Sequence, residues 1–99
     1  MPYSFDMASG NWTFLSNHGH VMVALSKDPT LRIRDLVGMI GITERSVRAI
    51  ISDLQVDGYL EIIKIGRRNE YRINEGMNFR HPAEATYQIH ELLQIFKDK

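Results

Sequence analysis

The amino-acid sequence predicts an α+β fold that is mainly helical and contains one small β-hairpin. Apolar residues recur at helical spacing in several segments, and one segment carries them at i, i+3, i+4 and i+7, namely Val47, Ile50, Ile51 and Leu54. Residues 59–65 are rich in β-branched and aromatic side chains, and residues 70–74 alternate polar with apolar ones after a Gly- and Asn-containing loop. Ninety-nine residues suffice for one domain with a single core.

Composition places the chain among globular proteins and narrows its chemistry. Hydrophobic residues make up 43% and charged residues 24% of the sequence, which excludes a mostly disordered chain. Twelve basic and twelve acidic residues cancel, so a nucleic-acid partner has to be argued from where the charges lie. The lack of cysteine excludes disulfides, thiol nucleophiles and thiolate metal sites. Because the chain shows neither a signal-peptide pattern nor an apolar run of membrane-spanning length, we expect a cytoplasmic protein without membrane contact.

The N-terminal part of the chain predicts an irregular arm followed by a helix. Residues 1–11 contain mixed turn formers and are interpreted as the arm. Residues 12–26 carry apolar side chains at helical spacing, with Ser16 or Asn17 as the cap. Pro29 ends this helix, because the residue before a proline is pushed out of the α region.

A short extended segment and two helices separated by a tight turn follow. Residues 31–33 alternate and predict a strand stub, and residues 34–40 predict a compact helix. Gly41 suits the left-handed position after a helix, and Thr43 is a good N-cap for the next one. That next helix spans residues 44–57 and carries the apolar stripe described above.

A hairpin and a last helix complete the chain. Residues 59–65 predict the first strand and residues 66–69 its loop, and Tyr71 and Ile73 are expected to face the core from the returning strand. Residues 83–97 align apolar side chains on one stripe, which predicts a C-terminal helix. The whole sequence is therefore expected to form one domain.

The predicted order of elements over residues 30–74 is that of a winged helix-turn-helix domain. The chain resembles the MarR- and ArsR-type bacterial transcriptional regulators. Their helix 2 and the turn after it resemble residues 36–43 (LVGMIGIT), and their recognition helix and its exit resemble residues 47–54 and 57–60. Their wing resembles residues 66–71 (GRRNEY). The resemblance covers roughly half of the chain. It implies a winged helix-turn-helix fold with extra N- and C-terminal helices, and a transcriptional regulator that binds double-stranded DNA.

By this resemblance, residues 44–57 are the recognition helix, whose exposed face would enter the major groove. The candidate DNA contacts at this helix are small, hydroxyl-bearing or basic residues away from the apolar stripe: Thr43, Arg45, Ser46, Arg48, Ala49 and Ser52. Arginine can form a bidentate bond to guanine, and serine can reach bases or phosphate. Thr43 can both cap the helix and contact phosphate. The alternative is that Arg45 and Arg48 only solvate an exposed helix face.

The densest positive cluster of the sequence falls in the predicted wing. It comprises Lys64, Arg67, Arg68 and Arg72. Arginine suits phosphate contact and insertion into a narrow minor groove, and the alternative is an ordinary polar loop tip. Arg32 and Arg34 are further phosphate candidates, although Asp35 can pair with one of them.

Apolar residues near both ends of the chain exceed what a winged core needs. The candidate dimerisation residues are Trp12, Leu15, Tyr87, Ile89, Leu92, Ile95 and Phe96. Packing within one chain would leave Tyr87 and Ile95 exposed, whereas a second copy would bury them. In the regulators that the chain resembles the terminal helices dimerise, and two-fold symmetry suits palindromic operators. We therefore expect a homodimer, with intramolecular packing alone as the alternative.

Signals for metal binding and catalysis are weak. His18 and His20 are two positions apart, do not share a helical face, and are expected to have no carboxylate beside them. No nucleophile stands beside a base in a glycine-rich or elbow context, so we expect neither an enzyme nor a metal or other cofactor. Two function classes remain: a DNA-binding regulator, and a winged helix that serves as a protein-interaction module without DNA contact. The operator and any small-molecule effector stay open.

Overall fold

The computed structural model describes residues 12–97 and contains, within them, four helices and a two-stranded antiparallel hairpin. The elements are α1 (Asn17–Lys27), α2 (Ile33–Ile40), α3 (Glu44–Val56), β1 (Leu60–Ile65), β2 (Arg68–Ile73) and α4 (Ile89–Lys97). The predicted α+β class, mainly helical with one small hairpin, is therefore confirmed. The arm predicted at residues 1–11 lies outside the described residues.

Helix α1 begins at Asn17, so the predicted start at Trp12 is wrong. The hydroxyl of Ser16 accepts a hydrogen bond from the backbone N–H of Gly19 at 3.2 Å and caps the helix at this point. Of the two predicted caps, Ser16 and Asn17, Ser16 is therefore the residue that caps α1. The C-terminal end is close to the prediction, because Asp28 adopts an extended backbone before the proline that follows it.

Helix α2 takes over the segment in which a strand stub was predicted. Arg32 is its N-cap, and the carboxylate of Asp35 accepts a hydrogen bond from the backbone N–H of Arg32 at 2.8 Å. Because this capping starts the helix at Ile33, the predicted strand at residues 31–33 is wrong. The connection still contacts the hairpin through a backbone hydrogen bond from Tyr71 N–H to the Pro29 carbonyl, 2.9 Å long.

The tight turn between α2 and α3 forms as predicted. Gly41 follows α2 in the left-handed region with a φ of 82°, which a residue without a Cβ adopts at little cost. Thr43 is the N-cap of α3, and its hydroxyl accepts a hydrogen bond from the N–H of Ser46 at 3.0 Å. The apolar stripe of α3 is buried, and the helix ends at Val56, one residue before the predicted end.

The hairpin turn consists of only Gly66 and Arg67, since Arg68 already pairs with Ile65 in the antiparallel register. Gly66 has a φ of 64°, and a glycine with positive φ at the first of two loop positions is typical of a type II′ turn. The predicted loop over residues 66–69 is therefore too long. Its last two residues belong to β2 and extend the hairpin toward its tip.

Helix α4 begins at Ile89, so the predicted helix over residues 83–97 starts too early. The carboxylate of Glu91 accepts a hydrogen bond from the N–H of Gln88 at 3.3 Å, which is one half of a capping box. Immediately before the helix, Gln88 forms an isolated antiparallel bridge with Asn78. A bridge requires extended backbone, and this excludes a helix that continues through the same position.

A single apolar core joins the four helices to the hairpin. Leu25 of α1, Leu36 of α2, Val47 of α3 and Leu93 of α4 are all fully buried, and Tyr71 of β2 closes the core from the sheet side. Each such side chain contributes about 1.5–3 kcal/mol by leaving water. The core thereby fixes the orientation of α3 relative to the hairpin. Between residues 12 and 97, no helix has the length and apolar character needed to span a membrane.

Candidate nucleic-acid interface

The surface of α3 opposite the core carries the helical residues predicted to contact DNA. They are Arg45, Ser46, Arg48, Ala49 and Ser52, and all five are exposed. Small side chains on this face allow a partner to approach the helix backbone closely. At its N-terminal end, the hydroxyl of Thr43 donates to Oγ of Ser46 at 3.0 Å, so both hydroxyls belong to the cap of the helix.

The two arginines of this face differ in their surroundings. Nε and Nη2 of Arg48 donate to Oε2 of Glu44 at 2.9 and 2.7 Å, one helical turn away. The two side chains of this pair are 63% and 61% exposed, so water screens the attraction. Arg45 has no ion-pair partner among residues 12–97. Arg45 therefore offers an uncompensated charge, whereas the charge of Arg48 is partly offset by Glu44.

Four of the predicted basic contacts line one pocket between the α1–α2 connection and the hairpin. This basic pocket has a volume of about 250 Å³. It is lined by Thr30, Leu31, Arg32, Ile33, Lys64, Arg67, Arg68, Asn69 and Tyr71. Its positive charge comes from two directions, because Arg32 is the N-cap of α2 while Lys64, Arg67 and Arg68 belong to the hairpin. No acidic residue is among those that line it.

Ion pairing divides the basic residues of the described chain into two groups. One group pairs with carboxylates: Arg48 with Glu44, Arg72 with Glu61, Arg80 with Asp57, and Lys97 with Glu75. The other group has no ion-pair partner among residues 12–97: Lys27, Arg32, Arg34, Arg45, Lys64, Arg67 and Arg68. Lys27 lies 6.0 Å from the ring centre of Phe96. All the others in this group are predicted DNA contacts, so uncompensated charge coincides with the predicted interface.

The carboxylate of Asp28 lies beside the basic pocket. It accepts hydrogen bonds from the hydroxyl of Thr30 at 2.7 Å and from the backbone N–H of Thr30 at 3.0 Å. These two bonds lower the pKa of Asp28, and the positive charge of Arg68 lowers it further. Asp28 is consequently ionised at neutral pH and offsets part of the positive charge of the pocket.

The predicted dimerisation residues divide between the surface and the core. Tyr87 and Ile95 are 55% and 67% exposed, as expected for a single chain. Trp12 is also exposed, and its ring packs edge-on against Phe14 with 5.2 Å between the ring centres. Three others are half-buried or partly exposed at the surface: Leu15, Leu92 and Phe96. Ile89 lies in the core of its own chain, so its side chain does not face a second copy.

His18 of α1 contacts a carboxylate that is distant in the sequence. Nε2 of His18 lies 2.8 Å from Oδ2 of Asp53, which joins α1 to α3. The expectation that His18 and His20 have no carboxylate beside them is thus wrong for His18, because its partner is distant in sequence. His20 contacts the hydroxyl of Thr13 at 3.2 Å. Within residues 12–97, no group of three or more His, Asp or Glu side chains is placed to hold a metal ion.

A larger cleft of about 470 Å³ lies at the C-terminal end of α3, away from the predicted DNA contacts. Its walls are mainly apolar and include Met22, Leu54 and Phe79. Asp53 and Arg80 also line it, and Asp53 contacts His18 while Arg80 pairs with Asp57. The cleft is also lined by three of the predicted dimerisation residues, Leu15, Ile89 and Leu92, and by none of the predicted DNA contacts.

Several residues of the basic pocket are not evident from the sequence. The sequence predicts Tyr71 only as a core residue, and Tyr71 is indeed buried. It predicts Asn69 only as part of a loop, but both residues line the basic pocket. Ile33 and Thr30 line the pocket because α2 begins soon after the turn at Pro29 and Thr30. The only sequence feature that could have indicated Tyr71 as a pocket residue is its hydroxyl, since a buried tyrosine usually finds a hydrogen-bond partner.

Comparison of the chain with protein-family models, with curated proteins and with solved structures finds no match.

Proposed function

We propose that this chain is a transcriptional regulator that binds double-stranded DNA through a winged helix-turn-helix domain. In this assignment α2, the turn over residues 41–43 and α3 form the helix-turn-helix, and the hairpin of β1 and β2 forms the wing. The left-handed Gly41 and the Thr43 cap support it, because they set a short, fixed connection between the two helices. Helix α3 then enters the major groove, and the wing contacts the backbone or the minor groove.

The observation that carries this proposal is the basic pocket together with the ion-pairing pattern. In a chain with no net charge, cations without a carboxylate partner need not lie near one another. Here, however, Arg32, Lys64 and two arginines of the hairpin line one pocket with no acidic residue in its wall. Phosphate groups of a duplex supply the complementary charge, and arginine binds them with two parallel hydrogen bonds.

The composition of the α3 surface supports base contact rather than phosphate contact alone. Arg45 lies in the first turn of the helix, the part that reaches base edges in helix-turn-helix docking. Ala49 and Ser52, further along the exposed face, are small enough to let the helix sit deep in the groove. Arg45 is accordingly proposed to bind guanine, with Ser46 and Arg48 contacting bases or phosphates beside it.

A homodimer is the proposed assembly. Trp12, Tyr87 and Ile95 expose large apolar side chains in the single chain, and a symmetric interface would bury them. Two copies would present two recognition helices to the two halves of a palindromic site.

A protein-interaction module without DNA contact is the second candidate function. The same exposed side chains at the two ends of the chain favour it, because a different protein would bury them as well as a second copy does. This candidate gives no role to the basic pocket. It also leaves the unpaired arginines of the hairpin without a function.

Duplex binding measured over a range of salt concentrations tests the proposal. Fluorescence anisotropy with a labelled mixed-sequence duplex should show binding at low salt that weakens steeply as salt rises. Each phosphate contact contributes about 0.9 to the slope of log affinity against log salt. If the duplex does not bind at low salt, the protein-interaction candidate takes its place. Binding with no salt dependence would reject the phosphate contacts of the basic pocket.

A further inference from the structure

Tyr71 combines a buried side chain with a hydroxyl that no other group of the described chain engages. The residue is only 5% exposed, and its backbone N–H is used in the bond to the Pro29 carbonyl. Its hydroxyl has no hydrogen-bond partner among residues 12–97. The other buried tyrosine, Tyr59, donates its hydroxyl to the carbonyl of Asn78 at 2.5 Å. The two buried tyrosines therefore differ in whether their hydroxyl has a hydrogen-bond partner among residues 12–97.

The hydroxyl of Tyr71 is not fully enclosed, and Tyr71 lines the basic pocket. Within residues 12–97, every side-chain polar atom that is fully enclosed has a hydrogen-bond partner, so this hydroxyl is not sealed in the core. The basic pocket is the cavity to which Tyr71 contributes. A hydroxyl held by a ring packed in the core is a fixed donor, and it loses little freedom when it binds a ligand.

The pocket that Tyr71 lines is built from groups that favour an anion. Arg32 and Arg68 line it without ion-pair partners among residues 12–97. Ile33, the first residue of α2, lines it too, and its backbone N–H has no acceptor among the same residues. The N-terminus of a helix carries a partial positive charge and presents such N–H groups to anions.

We propose that the basic pocket binds one phosphate group and that the hydroxyl of Tyr71 donates a hydrogen bond to a phosphate oxygen. The arginines supply charge at the mouth, while Tyr71 supplies a neutral donor from the core side. Phosphate fits this set better than a carboxylate does, because its oxygens point in several directions and can accept from α2, β2 and the turn at once. The volume of 250 Å³ is about eight times that of one water molecule, which is roughly 30 Å³, and leaves room for a hydrated phosphate.

The phosphate can come from two sources, a phosphodiester of the duplex backbone and a phosphate that is not part of a duplex. The first source rests on the proposed function, and the second does not. In the first case the hairpin and the start of α2 hold the same backbone phosphate and act as one unit. Separate titrations with duplex DNA and with inorganic phosphate distinguish the two sources.

Tyr71→Phe removes the hydroxyl and keeps the ring in the core, so it isolates the proposed hydrogen bond. Tyr59→Phe is the matched control, since it removes a buried hydroxyl that is already satisfied elsewhere. Binding of the labelled duplex is measured by anisotropy, and binding of inorganic phosphate by amide chemical shifts, with chloride at equal ionic strength as the reference. Thermal unfolding of each variant is followed in parallel.

We expect Tyr71→Phe to weaken binding of the phosphate ligand about ten-fold, as for the removal of a hydrogen bond to a charged group, without lowering the melting temperature. Tyr59→Phe should lower the melting temperature by a few degrees and leave binding unchanged. Weaker binding of the duplex, alone or with inorganic phosphate, assigns the pocket to the DNA backbone. Weaker binding of inorganic phosphate while no duplex binds retains the pocket and rejects the proposed function. Unchanged binding of both ligands by Tyr71→Phe, or equal weakening in Tyr59→Phe, overturns the inference.

Discussion

The guanidinium of Arg48 binds the carboxylate of Glu44 through two nitrogens, at 2.9 and 2.7 Å, on the exposed face of α3. Arg45, one residue after Glu44, has no such partner among residues 12–97. Two arginines that look equivalent in the sequence are therefore unequal as DNA contacts. The charge of Arg48 is partly offset by Glu44 before any partner binds, whereas that of Arg45 is not.

Arg45→Ala is expected to reduce preference for particular base pairs, with a loss of about 1–3 kcal/mol at those positions. Arg48→Ala, a second contact variant on the same face, should cost less, because Glu44 already offsets part of the charge of Arg48. Affinities of both variants for a panel of singly substituted duplexes decide between them. If Arg45→Ala weakens every duplex equally, base contact by Arg45 is rejected.

Replacement of both Arg67 and Arg68 by alanine is expected to weaken binding to all duplexes alike. The slope of log affinity against log salt should fall by about one for each phosphate that the variant no longer binds. Stability should change by no more than about 0.5 kcal/mol, since both side chains are exposed. The double replacement of Arg80 and Lys97 by alanine, which removes the same charge from two ion-paired cations outside the predicted contacts, is the control. An equal change of slope in both double variants would mean that only net charge matters.

Acid is expected to loosen the attachment of α4. Glu75 contacts Nδ1 of His90 at 3.1 Å and Nζ of Lys97 at 3.4 Å, and both are residues of α4. The hydrogen bond from His90, then the charge of Lys97, lower the pKa of Glu75 below its usual value of 4.5. A carboxylate whose pKa is lower in the folded chain contributes stability above the unfolded value, and this contribution disappears as pH falls through the folded value.

Glu75→Gln tests this pH dependence. The variant should be less stable than the wild type at pH 7 by about 0.2–1 kcal/mol, the range for exposed pairs. The difference should shrink as the pH drops below 4.5, the usual pKa of the group. Urea unfolding at a series of pH values measures it. A difference that is constant across this range would show that the charge of Glu75 is not what holds α4.

Ile95→Glu is expected to convert a dimer into a monomer. Ile95 is 67% exposed on α4, so the substitution places a carboxylate on the surface of a single chain but inside a two-chain interface, where an unpaired charge is costly. Val56→Glu is the control, because Val56 is 79% exposed at the end of α3 and outside the predicted dimerisation set. Light scattering should show a dimer for the wild type and for Val56→Glu, and a monomer for Ile95→Glu. A monomeric wild type rejects the assembly.

Local signals in the sequence predict local structure well. Gly41 and Thr43 lie where predicted because a left-handed glycine and a hydroxyl cap act within a few residues of themselves. The apolar stripe of α3 is buried for the same reason, since helical periodicity depends only on spacing. Errors begin where two signals compete. The apolar pattern before Ile89 is compatible with helix, but the bridge between Asn78 and Gln88 excludes it.

Contacts between segments that are distant in the sequence could not be predicted from local sequence patterns. Arg32 and Lys64 are each identifiable as cations, but only the folding of the hairpin against the start of α2 brings them to one pocket. The contact of His18 with Asp53 likewise depends on how α1 packs on α3. Burial of Tyr71 follows from strand alternation, whereas its place in the lining of the basic pocket is a property of the assembled fold.

Amide chemical shifts of the isotope-labelled chain during titration with duplex DNA locate the interface residue by residue, and they test DNA binding and its geometry in one experiment. We expect the largest shifts at Arg45 and Ser46 in α3, at Arg67 and Arg68 in the hairpin, and at Ile33 at the start of α2. Ile95 in α4 should not move at the same duplex concentration. Shifts confined to α4, or no shifts at low salt, would contradict the assignment of this chain as a DNA-binding regulator.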